Sequence, residues 1–590
     1  MHVHLEMRTH HPIPPSLPSL GYDAVPYPAR AFPTTHPEHL ATVLTLLGLR
    51  APQVETCRVL EIGCATGGNL LPMADGLHGA RFVGIDLSRV QIEAARAAVR
   101  KLGLENVELR CQDLCDFDRP GTPSAAGGPV LSPSKGPGKR PAKSAPPAGP
   151  ELFDYIIAHG LYSWVPPGIR DKLLALCAAH LAPGGVAFIS YNTLPGWHVQ
   201  SAIRELMLAH VWGQGVGPGM APPATPPEVA AKAREVIEFL SAADPAGAPF
   251  AALLKETASR LRALPDANLL HDHLCPINEP VYFSQFAAEC TAKGLRYLGD
   301  AHTQSPNPPD TTELTVSPRE KLAPTLPQIA PLPAHMELFL DVWGNRPFRQ
   351  SLLCRTDAPP APLDGPIGPP STTPFAANAG YMQGLFVGSS LKPTSLAEPE
   401  FGTPVPETFI NPRGITATVA EPLTRSAMLC LADAWPARLP YDGLLKAAWS
   451  RMGLAGGSSD TGAARLAAAL LQGHISGLIE LSIRPARCAT RLTRRPIARP
   501  LARLQAETDD TVTTLRHDNL RLNATARSLL RLLDGSRDLP ALCSAMEQIM
   551  LENARNMDPS LTLTDADRKH VSKGLEQDLR RFVDEGLLVG

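Results

Sequence analysis

The stretch Val59-Leu60-Glu61-Ile62-Gly63-Cys64-Ala65-Thr66-Gly67-Gly68, followed by Val83-Gly84-Ile85-Asp86-Leu87-Ser88, constrains this chain more than any other. A β-rich run passes through a carboxylate into a glycine-punctuated turn. A helical stretch follows, and a second short apolar strand then ends in another carboxylate. This order describes a βαβ unit whose first loop brings backbone close to a ligand, with Asp86 at the tip of the next strand. Glycine suits that loop because it alone combines φ > 0 with unobstructed approach.

A dinucleotide fingerprint would read G-x-G-x-x-G, with a tight first turn seating a pyrophosphate on a helix N-terminus. Here the glycines fall at Gly63, Gly67 and Gly68, as E-x-G-x-x-x-G-G, which argues against NAD. The pattern resembles motif I of class I S-adenosylmethionine (SAM) methyltransferases. That resemblance implies SAM as cofactor, with Gly63 to Gly67 around its methionine moiety and Asp86 accepting hydrogen bonds from both ribose hydroxyls.

The following segments continue the alternation. Ser88 caps a helix to about Leu102, with Ile92, Ala95 and Val99 at helical spacing. Asn106 to Arg110 alternates like a strand and leads to Gln112-Asp113, where the family places a carboxylate against the adenine amino group. Phe153 to Ala158 reads as a fourth strand entering His159-Gly160. Val186 to Tyr191 reads as a fifth, after a turn at Leu181 to Gly185. The expected fold class is α/β: a Rossmann-like, parallel, doubly wound sheet that binds ligands outside the strand carboxyl ends.

At 590 residues the chain exceeds one core, and about three or four domains are expected. A net charge of −2 gives no electrostatic footprint for nucleic acid or anionic membrane. No apolar run reaches the ~18 residues of a membrane span, and the His- and Pro-rich start lacks a signal-peptide pattern. Eleven cysteines without a C-x-x-C pair read as reduced thiols, so a cytoplasmic location and no metal site are expected. His271-Asp272-His273 is read as a helix terminus with structural histidines.

The 62 prolines concentrate in apparent linkers. Residues 1–20 are expected to be a disordered N-terminus and 119–150 a disordered insertion within a SAM-binding domain spanning 21–212. Helices are expected at His198–Val211, Pro227–Leu240 and Ala251–Leu264, and another from Val281 closing at Gly294. Residues 213–301 are assigned to a regulatory domain and 302–405 to a linker and middle segment, with Met336 to Leu353 helical but broken at Gly344 and Pro347. Residues 406–590 are assigned to a C-terminal winged-helix-like α+β domain.

Several runs narrow the resemblance: Tyr22-Asp23-Ala24-Val25-Pro26-Tyr27-Pro28, His159 to Pro166, and Ser190 to Trp197. With Asn278 to Phe283, Asn345 to Cys354 and Leu529 to Asp538, they resemble class I methyltransferases carrying a methyltransferase regulatory domain. That group includes the rickettsial protein-lysine methyltransferases. The resemblance implies methylation of protein lysine side chains, a possible homodimer, and a lid formed by the segment holding Tyr27 and Phe32. It implies a cofactor set of Tyr27, Glu61, Gly63, Cys64, Gly67, Asn69, Asp86, Leu87, Asp113, Leu114 and His159. Ala65-Thr66 departs from the polar or acidic residues usual in this loop.

Methyl transfer is an in-line displacement that needs an aligned, unprotonated nucleophile. A lysine amine, pKa ~10.4 in water, must lose its proton, and desolvation among aromatic faces assists that loss. Tyr162 and Tyr191 are therefore read as polar-tipped cage members, Trp164 as a wall and Asn192 as the acceptor-orienting group. Two other readings stay open: a small-molecule methyltransferase, and a SAM-binding interaction protein whose winged-helix-like end meets a partner. The basic stretch Arg491, Arg494, Arg495 and Arg499 is read as a solvated face.

Overall fold

The computed structural model describes residues 21–117, 150–212, 225–245, 247–302, 333–363, 379–395, 401, 405–454, 460–555 and 562–590. The expected disordered N-terminus 1–20, nearly all of the insertion 119–150, and much of the 302–405 linker lie outside these residues.

Seven strands form the central sheet: β1 Arg58–Ile62, β2 Arg81–Asp86, β3 Val107–Cys111, β4 Phe153–Ala158, β5 Leu181–Asn192, β6 Leu295–Asp300 and β7 Phe348–Arg355. Their order is β3-β2-β1-β4-β5-β7-β6. The first five run parallel, whereas β7 is antiparallel to both β5 and β6. The sheet is thus mixed where a parallel one was expected: β7 lies between β5 and β6 and runs opposite to both.

Alternation along each strand gives the sheet two apolar faces. On one, Val59, Phe82, Tyr155, Ile157 and Phe188 pack beneath helices α1 Pro37–Leu46, α2 Leu70–Gly76 and α3 Arg89–Leu102. On the other, Leu60, Ile62, Ile85, Ile156, Ile189 and Tyr191 pack against α4 Pro167–His180 and a later helix around Phe286. Ser88 accepts the Gln91 N–H as the N-cap of α3, and Gly103 at φ +65° ends it.

Three further units surround the sheet. Helices α5 His198–Trp212, α6 Pro226–Ala242 and α7 Pro249–Arg262 bury their own core of Ile203, Met207, Val229, Ile237 and Leu261. α5 therefore leaves the expected 21–212 domain and joins the helical unit. The chain then returns to the sheet through α8 Phe283–Ala292, β6, α9 Pro333–Trp343 and β7.

The helical stretch expected over Met336–Leu353 does break at Gly344 and Pro347, with the helix stopping at Trp343, but from Phe348 the chain is a strand rather than more helix. Asn345 at φ +44° and Pro347 break the helix, and Ser351 to Cys354 are a continuous buried run suited to an interior strand.

Residues 379–483 enclose a separate core built on Val387, Phe409, Leu423, Leu431, Leu444 and Leu466. Residues 489–588 enclose another, built on Ala502, Val512, Leu530, Leu579 and Leu587. The expected single domain 406–590 is therefore two units, and part of the expected linker 355–405 supplies strand Phe386–Gly388 to the first. The last unit carries a two-stranded hairpin, β8 Thr511–Thr513 and β9 Asn519–Arg521. Among the described residues no helix is long and apolar enough to cross a membrane.

Candidate active site

Glu61, Asp86 and His159 lie on or just past the carboxyl ends of β1, β2 and β4. By strand parity all three fall on the face that packs under α1, α2 and α3, so the sheet brings them together from three loops.

The β1–α2 loop is held by backbone bonds: Gly63 and Cys64 donate to the Ile85 carbonyl at 2.9 and 3.1 Å, and Gly67 donates to Cys64 at 2.8 Å. Gly63 sits at φ +77° with open space where a Cβ would be. Gly68 has none: a Cβ there would lie 2.6 Å from the Ala29 backbone. The segment before α1 thus lies directly on the loop. Cys64 points its thiol down into the sheet core, so anything it offers a ligand is backbone.

Asp86 accepts the Ala65 N–H at 2.9 Å through Oδ2 and the Ser88 N–H at 2.8 Å through Oδ1. The first bond holds Ala65, a non-glycine at φ +48°. Burial raises the Asp86 carboxyl above its usual range. Leu87 beside it is 71 % exposed. Asp113 accepts the Cys115 N–H at 2.8 Å and so fixes the turn that carries half-buried Leu114.

Glu61 is buried, accepts from Asn69 Nδ2 at 2.7 Å through Oε1, and has no hydrogen-bond partner at Oε2. Burial pushes its carboxyl up to about 8. The folded chain therefore holds a proton that the unfolded chain releases from ~4.5 upward, and this residue's contribution to stability falls as pH rises toward 8. Glu61→Gln should raise the melting temperature relative to the parent by a few °C (~1–4 °C) at pH 8. The difference should vanish near pH 4.5; a pH series of thermal melts without ligand checks it.

His159 faces Phe32 with ring centroids 4.0 Å apart and Phe348 at 6.1 Å. Ser190 Oγ accepts the Gly160 N–H at 2.8 Å and lies 3.0 Å from His159 Nδ1. Having accepted one N–H, Ser190 Oγ can either give its proton to Nδ1 or accept one from it, so both imidazole tautomers fit this pair. Burial pushes the imidazole down to about 4, so it is neutral at pH 7 and a weak base.

The four residues read as catalytic separate. Tyr191 has the opposite strand parity from Ser190 and is fully buried, stacked on Phe286 at 4.1 Å with its hydroxyl 3.2 Å from Ser351. Tyr162 turns into the same core and donates its hydroxyl to Glu289. Neither reaches the cradle, and both are corrected to scaffold roles. Asn192 has the cradle's parity; Nδ2 donates to Asn278 at 2.9 Å, while buried Oδ1 has no partner. Trp164 stays half-buried at the β4 exit with Nε1 unpaired. Phe348 and Ser190 were missed: one sits on a strand misread as helix, the other is a lone serine in an apolar strand.

The segment 22–36 crosses the cradle. Asp23 accepts from Ser88 Oγ, and Tyr22 stacks on His271 at 4.4 Å. Tyr27 donates to Asp272 at 3.2 Å and accepts from Asn268 at 2.8 Å, which ties it to the helical unit. His271 bonds the Val25 carbonyl at 2.7 Å, and His273 stacks on Trp197 at 5.9 Å, so both histidines have packing partners. No cluster of three metal-ligating side chains occurs among the described residues. Arg499, read as solvated, is buried and paired with Asp75 at 2.5 Å, whereas Arg491, Arg494 and Arg495 are exposed.

Comparison with known proteins matches the chain to three family models in order: a methyltransferase domain over residues 60–187, a predicted methyltransferase regulatory domain over 265–355, and the C-terminal winged helix domain of PKMT over 494–587. Uncharacterized protein RP789 of Rickettsia prowazekii is 36 % identical over 337 residues, 57 % of this chain and 53 % of that protein. Uncharacterized protein RP028 of the same organism is 33 % identical over 280 residues, 47 % of this chain and 97 % of that one. The solved structure of PKMT2 from Rickettsia typhi shares the fold, with a TM-score of 0.76 and 24 % identity over 96 % of this chain and 100 % of that one. The regulatory match runs through β6 and β7, so that domain completes the methyltransferase sheet rather than lying beside it. With RP028 covered almost end to end and these three domains in sequence around one cradle, the chain belongs to the family of SAM-dependent methyltransferases that carry a methyltransferase regulatory domain and a PKMT-type winged helix.

Proposed function

We propose that this chain transfers the methyl group of SAM to lysine side chains of proteins. The observation that carries the reading is the acceptor set at the strand ends: a buried carboxyl oxygen without a partner on Glu61, and the Asp86 carboxylate one strand away. These fit SAM, whose α-ammonium and ribose hydroxyls are donors. Glu61 would take the ammonium, Asp86 the ribose, and the Gly63–Gly67 backbone the methionine chain. Asp113, Leu87 and Leu114 would flank the adenine, with Tyr27 and the 22–36 segment as cover.

SAM supplies an electrophilic methyl on a sulfonium; what remains for the protein is to position and desolvate the amine. Phe32 and Phe348, flanking His159, replace the tyrosines as the aromatic walls, and aromatic faces favour a cation. His159, neutral and a weak base at pH 7, shapes the pocket and takes no proton; the lysine proton leaves to water. Asn192 Oδ1 is the amine-orienting acceptor, and Trp164, at the β4 exit, is kept as a wall. The R. typhi PKMT2 structure solved in complex with AdoHcy supports the donor, and that protein's name supports lysine as acceptor.

SAM labelled on its methyl group is incubated with the chain and a bacterial lysate, and the protein fraction is hydrolysed. Label should elute as methylated lysine. Label confined to small molecules would reject the lysine assignment.

A further inference from the structure

The hairpin β8–β9 of the winged-helix unit reaches across the molecule into the methyl-donor loop. Between its strands, His517 stands at φ +65°, an uncommon conformation for a non-glycine, and is 3 % exposed. Its Nε2 lies 2.8 Å from Asn69 Oδ1, which belongs to the β1–α2 loop 448 residues earlier. Two residues further on, Asn519 grips Ala31 from both sides, accepting its N–H at 3.0 Å and donating to its carbonyl at 2.7 Å. Arg30 pairs with Asp509 at 2.9 Å. The hairpin therefore touches both the loop and the segment lying on it.

The orientation of Asn69 follows from its neighbours. Oδ1 also accepts the Phe32 N–H at 2.9 Å, so the amide nitrogen must face the other way. Nδ2 spends its two protons on Glu61 Oε1 at 2.7 Å and Thr35 Oγ1 at 2.9 Å. Thr35 passes its own proton to the Phe32 carbonyl at 2.8 Å. Donors and acceptors in this buried group balance, with one remainder, Glu61 Oε2. A polar network closed everywhere but at one oxygen fixes where that oxygen points.

We propose that His517 is a positioning residue of the cofactor site, acting through Asn69 to hold Glu61 with its free oxygen presented to the α-ammonium of SAM. The winged-helix unit thereby forms part of the methyl-donor site. The inference rests on the methyl-donor reading above.

Titration calorimetry of the full chain with SAM and with 5′-methylthioadenosine separates the two. The second ligand keeps the adenosine and thioether but lacks the amino acid end. His517→Ala should lower SAM affinity about tenfold, as loss of a hydrogen bond behind a charged contact does. Affinity for 5′-methylthioadenosine should stay within about twofold. His517→Gln, which restores a donor of similar reach, should recover most of the loss. In a Glu61→Gln background, His517→Ala should cost nothing further. Equal losses for both ligands would overturn the proposal in favour of general folding support, and unchanged SAM affinity would overturn it outright. A parent chain that binds neither ligand would overturn the methyl-donor reading itself.

Discussion

Replacing Asp86 by alanine should lower SAM affinity about 100-fold in titration calorimetry, the largest binding effect of any single change in the cradle. Two effects add. The ribose hydroxyls lose a charged acceptor, and hydrogen bonds to charged groups contribute about 1.5–3 kcal/mol. The loop also loses its tether, because Oδ2 of Asp86 accepts the N–H of Ala65 at φ +48°. Asp86→Asn divides the effects: its carbonyl can keep one backbone bond, but its amide cannot accept the other. An intermediate loss is expected. Unchanged affinity in the alanine variant would remove Asp86 from the ribose.

Arg349→Met should destabilise the chain by about 3–5 kcal/mol, the range for removing one partner of a buried ion pair. Arg349 is 1 % exposed on β7, directly opposite Tyr191 of β5. Its guanidinium binds Asp341 at 2.8 Å, Asp300 at 2.9 Å and Glu337 at 2.9 Å, and lies over the Phe283 ring. Arg346 assists from the rim, 2.8 Å from Asp300 and 3.5 Å from Asp341. Methionine fills the volume but leaves three acids facing one another. Burial already pushes the Asp341 carboxyl up to about 6 with the arginine present. Without it these acids would hold protons more tightly in the folded chain, so the variant's stability should fall as pH rises. The gap to the parent should therefore be larger at pH 8 than at pH 5 in denaturant titrations. A gap independent of pH would mean that the acids are not the cause.

The loop 61–68 and the strands to Asn192 were legible because their signals are local. Glycine positions, a serine cap at Ser88 and apolar strands ending in a carboxylate are all read within a dozen residues. The residues proposed for the acceptor side were harder, because proximity along β5 does not by itself say which face a side chain takes. Tyr191 and Asn192 are neighbours in sequence and lie on opposite faces of the sheet. β7 was misread because Phe348 to Leu353 mixes polar and apolar residues without a clean period of two, and so short a run cannot be told from a helix by periodicity alone. His517 carries no sequence signal at all: its partner Asn69 is hundreds of residues away, and only the folded chain supplies their meeting.

The antiparallel strand β7 also bears on how the protein is made. β5 ends at Asn192 and its partner begins at Phe348, about 150 residues later, after the helical unit has been synthesised. At roughly 5–20 residues per second, a ribosome needs on the order of ten to thirty seconds to cover that interval. Throughout it, β5 is an apolar strand with an open hydrogen-bonding edge, the kind of surface that recruits other chains. The helices that emerge in between have a core of their own, so the nascent chain waits with one edge of its sheet exposed. Its demand on chaperones should therefore peak before residue 348 emerges and fall once β7 closes that edge.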